Sequence, residues 1–361
     1  MFRGINKMFK KIIAVFAALF FSASAAFSVD YSGKTVTIWV PFKAGGGTDA
    51  VARALTGPLS KNLPGNPSVV VKNVTEGGGI GSVNTYVAKH GKDKDGLVVL
   101  ATSGSTQLPF LFKDKRVRYD YKKFVAVHGA GTGGVVYVRS DLGVKDIVKD
   151  FSKLKGKKLL YGSQGISSLD AVPALAFDML GLPVKIVYGM KGRKGGRAAI
   201  MRGETTIDYQ TTSSYKKHIK PLVDKGEMVP LMTWGVQKGN KIVRDPNFPN
   251  LPCFTEVYEK VTGKKPSGAE FQAWSAMFAA GFTTQKFLVL PKGTKGSVIK
   301  TWQKAAEGIV ADKAAMKVLN KKLGTYPHYI GNKDLKVALK NASTMKGSTY
   351  KYLKNWLASK K

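Results

Sequence analysis

Apolar residues follow two alternating rhythms along this chain. Short runs that are apolar throughout or at every second position occur at VTIWV (36–40), PSVVVKNV (67–74), GLVVLATS (96–103), FVAVHGA (124–130), GVVYVRS (134–140), KLLYGS (158–163) and VKIVYG (184–189). That spacing predicts β-strands. Between them, apolar positions recur every three or four residues, predicting helices over 48–60, from about Gly81, over 168–180 and near 194–202. Strand and helix in alternation predict an α/β sandwich with mostly parallel sheets. The second half changes character, with a loop-rich NKIVRDPNFPNLPCF followed by helices. Ser267 and Glu270 precede FQAWSAMFAAG as a capping box would, and Phe271, Trp274 and Phe278 then share a helix face. Gly296 or Ser297 opens another helix, and Gly324 closes a third.

The stretch Thr35 to Leu59, TVTIWVPFKAGGGTDAVARALTGPL, organises the rest. Val36, Ile38 and Val40 alternate with Thr37 and Trp39 in a strand covered on both faces, and Pro41 ends it. Phe42 and Lys43 lead to Gly45, Gly46 and Gly47; Ala50, Val51, Ala54, Leu55 and Leu59 then line one side of a helix with Thr48 as N-cap. Three glycines carry no side chain to block a ligand, so backbone N–H groups at the positive end of the helix are free to hold an anion. The anion is not a nucleotide held by either familiar loop. Thr48, Asp49 and Ala50 stand where a Walker loop needs Gly-Lys-Ser/Thr, and the spacing breaks the dinucleotide GxGxxG fingerprint.

A second strand, loop and helix unit lies at LLYGSQGISSLDAVPALAFDMLG. Ser163 sits in its loop, Ser167 or Ser168 is the expected cap, and Gly181 the terminator. One helix terminus contributes at most ~2 kcal/mol to an anion, while micromolar affinity needs about 8 kcal/mol. Two opposed termini with several charge-assisted hydrogen bonds reach that, so a cleft gripped from both sides is expected. Further polar loops follow other strands: Glu76 to Gly79, then Ser103, Ser105 and Thr106, then Asp208, Gln210, Thr211, Thr212 and Ser213.

Catalytic patterns are absent from the sequence. The four histidines, His90, His128, His218 and His328, have no metal-ligand spacing; HExxH and GxSxG do not occur; and DKDG at 93–96 is a turn without the glutamate of a calcium loop. No enzyme, cofactor or metal is expected.

Charge and the start of the chain fix the compartment. Residues 1–11 are basic, residues 12–21 are apolar, and Ala23 and Ala25, or Ser24 and Ala26, suit cleavage, so residues 1–26 read as a secretory signal peptide. Its removal takes away Arg3, Lys7, Lys10 and Lys11, lowering the net charge from +35 to about +31, over about 335 residues and two domains. Cys253 is the single cysteine, which excludes an internal disulfide and a lipid anchor at the cleavage site. The lysines are scattered and no nucleic-acid motif accompanies them, so a solvated basic surface is expected; a protein that binds polyanions or anionic surfaces is the alternative.

PFKAGGGTDAVARAL resembles the opening of the extracytoplasmic solute receptors of tripartite tricarboxylate transporters, also met as Bordetella uptake receptors. The resemblance continues in order. It runs through Asn73 to Gly77, where Thr75 and Glu76 replace the family's arginine and proline, the Asp95-Gly96 turn, Ser103 to Ser105, the serine-rich helix start at 162–168, the Tyr188-Gly189 loop with a basic GRKGGR run, and LPKGT at 290–294. It implies a type II periplasmic binding fold of two α/β lobes joined by crossing hinge strands. Lobe 1 would comprise 29–129 plus 241–361, and lobe 2 would comprise 130–240. The ligand implied is a small di-, tri- or aromatic carboxylate, delivered in the periplasm by a monomeric receptor to integral membrane permease subunits, with no nucleic acid involved. Site residues expected on both grounds are Phe42, Gly45, Gly46, Gly47, Thr48, Asp49, Ser103, Ser105, Ser163, Ser167, Ser168, Tyr188, Asp208 and Thr211.

Overall fold

The computed structural model describes residues 29–238 and 241–360, so the expected signal peptide lies outside the described residues. In chain order the first elements are β1 (Thr35–Val40), α1 (Gly47–Asn62), β2 (Ser68–Asn73), α2 (Gly78–His90), β3 (Val98–Ala101), α3 (Gly104–Leu111) and β4 (Phe124–Ala130). Next come β5 (Gly134–Arg139), α4 (Phe151–Lys155), β6 (Leu159–Gly162), α5 (Ala171–Met179), β7 (Val184–Val187), α6 (Arg193–Met201), β8 (Ile207–Thr211), α7 (Thr212–His218), α8 (Lys220–Asp224) and β9 (Met228–Thr233). The remainder is β10 (Val236–Lys238), β11 (Lys241–Val243), α9 (Phe254–Thr262), α10 (Gly268–Phe278), β12 (Lys286–Pro291), α11 (Gly296–Ala311), α12 (Lys313–Leu323), β13 (His328–Tyr329), α13 (Asn332–Ser343) and α14 (Gly347–Ser359).

Two sheets form. One has the order β13-β4-β12-β3-β1-β2, the other β7-β6-β8-β5-β9, while β10 and β11 pair apart from both. Alternation in β1 explains how the first sheet is covered. Val36, Ile38 and Val40 join one core with Leu55, Leu59 and Trp302, while Trp39 faces Tyr86 and Leu335 on the other side. The second sheet is likewise sandwiched, with α5, α9, α10 and α14 on one face and α6 and α7 on the other.

The sheets are mixed, not mostly parallel: β1·β2, β1·β3, β6·β7 and β6·β8 are parallel, while β12·β3, β12·β4, β13·β4, β5·β8 and β5·β9 are antiparallel. Strands that carry the chain out of one sheet or back from the other run against their neighbours. The chain passes from β4 to β5 through Gly131, Thr132 and Gly133, and returns through a π-helical turn, Ala279–Thr283, into β12. Thr132 N donates to Phe282 O at 2.9 Å, tying the two crossings together.

The expected return of the chain to the first lobe at 241 does not describe how its later helices pack. Phe254, Trp274 and Phe278, and then Leu353 and Trp356 of α14, bury themselves in the core of the second sheet. Trp356 Nε1 and Lys360 Nζ both reach Asp178, at 2.7 and 2.9 Å, locking α14 to α5. Phe271, Trp274 and Phe278 do share one face and stack, with ring centroids 6.0 and 5.0 Å apart. Ser267 precedes α10 without a side-chain cap, because the chain enters that helix through Gly268 at φ +76°. Helix starts shift elsewhere too: α1 begins at Gly47 with Gly46 as N-cap in place of Thr48, α2 at Gly78, and α5 at Ala171 after Asp170 in place of a serine.

Candidate functional site

The loop after β1 is shaped from behind by one carboxylate. Asp49 is 3% exposed and accepts from Gly45 N at 2.9 Å and from Asn73 Nδ2 at 3.0 Å, and it pairs with Arg53 Nε at 3.0 Å. Burial works to raise its pKa, yet the Gly45 amide, Arg53 and Asn73 hold it below the usual carboxylate range. Asn73 also donates to Phe42 O at 2.9 Å, so strand end and helix start are one unit. Gly45, at φ +83°, makes the turn that aims its N–H at Asp49. Gly45 and Asp49 therefore brace the loop and do not line the cavity, whereas Gly46, Gly47 and Thr48 do.

A cavity of about 480 Å³ opens between the two sheets. From the first lobe it is lined by Phe42, Lys43, Gly46, Gly47, Thr48, Thr75, Gly78, Gly79, Ser103, Ser105, Gln285 and Lys286. Gln164, Leu169, the Met190–Lys194 loop and Thr211 line it from the second. The beginnings of α1, α2, α3 and α6 all reach it, each presenting the partial positive charge of a helix N-terminus. Five of its lining residues are cations, Lys43, Lys191, Arg193, Lys194 and Lys286; none of the described residues lining it is Asp or Glu.

The second grip on the cavity differs from the expected one. Ser163, Ser167 and Ser168 do not line it. At the start of α5 the chain places its own Asp170, whose carboxylate caps no helix N–H but turns back to accept from Gln164 N at 2.6 Å and from Arg193 Nη1 at 3.3 Å. Ser163 Oγ accepts from Gly165 N at 3.0 Å, and Ser168 Oγ donates to Gly165 O at 2.6 Å, both within the loop. Ser167 is turned to the loop after α3, its hydroxyl donating to Asp114 Oδ2 at 2.8 Å. In place of α5, the start of α6 faces the cavity through Gly192, Arg193 and Lys194.

Asp208 and Tyr188 also fall outside the lining. Asp208 is fully buried, bonds Arg193 Nη2, and accepts from Tyr137 OH at 2.6 Å and Gln210 Nε2 at 2.9 Å. With Asp170 it holds Arg193, whose guanidinium lies 4.5 Å from the Tyr209 ring centroid. The Tyr188 hydroxyl donates to Lys360 O at 2.9 Å, on the exterior. Of the expected residues, Phe42, Gly46, Gly47, Thr48, Ser103, Ser105 and Thr211 meet at the cavity.

Sequence reading missed Gln285, just before β12, and Lys286, which begins it. Lys286 is 6% exposed, and its Nζ donates to Thr48 Oγ1 at 2.8 Å. Burial pushes its pKa down to about 7. Arg193 left a signal in the basic GRKGGR run; a lysine opening KFLVLP gave none, since it reads as a solvated strand end.

No protein-family model matches the chain. In sequence it is 28% identical over 323 residues to a UPF0065 protein of Bordetella pertussis, spanning 88% of this chain and 89% of that one. In structure it is similar to the periplasmic binding protein BugD, with a TM-score of 0.63 and 20% identity over 91% of this chain and 97% of the other. A Rhodopseudomonas palustris protein solved with adipate gives a TM-score of 0.66 and 20% identity over 92% and 98% of the two chains.

Proposed function

We infer that this chain, which belongs to the Bordetella uptake receptor family of solute-binding proteins and has their two-lobed periplasmic-binding fold, is a receptor for a small carboxylate. It works in the periplasm, captures its ligand between the lobes without converting it, and passes it to the permease subunits of a tripartite tricarboxylate-type transporter. The observation that carries this reading is the charge of the cavity: five basic side chains, of which Arg193 is already paired with Asp170 and Asp208 behind the wall, and four helix starts around about 480 Å³, with no acidic side chain among the described lining residues.

Magnitudes support it. Helix starts at about 0.3–1 kcal/mol each and charge-assisted hydrogen bonds at about 1.5–3 kcal/mol each exceed the roughly 8 kcal/mol of micromolar binding before the cost of ordering is subtracted. The volume suits a ligand of a few carbons with two carboxylates, and a structural neighbour was solved with adipate, a dicarboxylate of that size. Closure of the lobes about the paired crossings would exclude water and strengthen each contact.

Calorimetry of the protein against adipate, succinate, citrate and benzoate tests the reading, with micromolar affinity for at least one as the expected result. Affinity should change little with added salt, because the charges meet in a closed cleft. No heat from any of the four acids at millimolar concentration, or an affinity for heparin-like polyanions that collapses with salt, would remove the carboxylate-receptor reading.

A further inference from the structure

Gln285 and Lys286 enter the cavity wall at the start of β12, and the fold uses neither polar group fully. Gln285 is wholly buried, lines the cavity, and has no hydrogen-bond partner at its amide nitrogen or its amide oxygen. Beside it, the Lys286 ammonium has the Thr48 hydroxyl at 2.8 Å and no acidic partner among the described residues. A buried charge without a counter-ion and a buried amide without a partner are both unfavourable, and a ligand that brings acceptor oxygens relieves both.

The elements around Lys286 offer no substitute. On β4, His128 stands close by and meets His328 of β13 at 3.0 Å. Asp49, on α1, is turned to Gly45, Arg53 and Asn73. Lys43 on the loop and Lys191, Arg193 and Lys194 across the cavity are all cations. Thr48, one of the helix-start residues, is thus held by the ammonium in position to share the same oxygen.

We propose that Gln285 and Lys286 form the subsite that anchors one carboxylate of the ligand, and that filling it transfers a proton from solvent to the Lys286 amine. The proposal rests on the carboxylate-receptor reading above. In balance, the neutral amine, one solvent proton and the carboxylate anion give an ammonium–carboxylate pair; no covalent bond other than N–H forms. Burial holds Lys286 at about 7 in the empty cavity, and the arriving anion raises it again. Affinity is therefore flat below about pH 7 and falls up to about tenfold per pH unit above it. His128, pushed down to about 3, and His328, also lowered, stay neutral over that range and leave the slope to the lysine.

The test is calorimetry of the full mature chain with adipate, succinate, citrate and benzoate at about pH 6 and about pH 8.5, each in two buffers of different ionisation heat. Expected is close to no proton uptake at the lower pH, close to one proton at the higher, and an affinity about 30-fold weaker there. Lys286→Met should weaken binding at least tenfold at the lower pH and abolish the uptake. Lys286→Arg, always charged, should bind without taking up a proton at either pH. An acid that binds the wild type with no proton uptake at the higher pH, or that binds Lys286→Met as well as wild type, overturns this proposal and leaves the receptor reading standing. Failure of all four acids to bind at either pH overturns both.

Discussion

Gly47 and Thr211 meet across the cleft: a Cβ built on Gly47, at the start of α1, would lie 2.6 Å from Thr211 Oγ1 in the opposite lobe. The first lobe therefore needs a glycine there for a reason beyond exposing its N–H. A side chain there meets the Thr211 hydroxyl, which must give way for the two lobes to keep this approach.

Gly47→Ala should accordingly weaken binding of adipate by about tenfold, a loss on the order of 1–2 kcal/mol from overpacking. Removing the opposing hydroxyl in Gly47→Ala with Thr211→Ala should recover most of it. Calorimetry on the two variants decides the matter, and equal affinity in the single variant and wild type would show that the contact does not limit closure.

Asp49 should matter for stability and binding together. Asp49→Ala leaves the Gly45 amide, Asn73 and Arg53 without their shared acceptor. Arg53 is half exposed and solvent takes up its loss, so the expected cost is about 1–3 kcal/mol, from the buried hydrogen bonds alone. Urea denaturation measures that cost. Titration with adipate should show at least a tenfold loss, since the braced loop is also the wall that carries Gly46 and Thr48.

Arg193 is held by Asp170 and Asp208, both fully buried, and Arg193→Met would strand two carboxylates in the second lobe. Breaking a buried pair in this way costs about 3–5 kcal/mol. The double variant Arg193→Met with Asp208→Asn should be less destabilised than the single one in chemical denaturation. The opposite order would mean that the cluster does not act through charge.

His128 gives the fold a dependence on acid. Burial, with a smaller push from His328, lowers it from 6.5 to about 3. The unfolded chain then binds a proton below about pH 6.5 that the folded chain refuses, so stability is full above that pH and is lost as pH falls toward 3, by up to about 1.4 kcal/mol per unit. Denaturation midpoints between about pH 6 and pH 4 should fall less in His128→Gln than in wild type. Parallel slopes would assign the acid sensitivity elsewhere.

Much of this was legible in the sequence where chemistry is local. The β1–loop–α1 unit, the stacked face of Phe271, Trp274 and Phe278, and the closure of α12 at Gly324 follow from spacing within a few residues. What escaped depends on partners far apart in the chain. Lys286 is buried because α1 brings Thr48 to it from 238 positions away, and no local pattern marks such a lysine. The start of α5 looked free because nothing near Ser167 shows that Asp170 turns back onto Gln164 and reaches Arg193. Antiparallel pairing was hidden for the same reason, since strand direction is set by crossings between lobes, not by alternation within a strand.

The last helix carries a consequence for how the molecule is made. Leu353 and Trp356 of α14 complete a core whose other members start more than two hundred residues earlier, with Trp356 fastened to Asp178. A nascent chain emerging from its amino end must hold that apolar surface open until α14 arrives, a span in which incomplete chains are prone to aggregate. Emergence of residues 347–359 is thus the earliest moment at which the second lobe can be sealed, and chains cut short before 347 are the ones that proteases should find first.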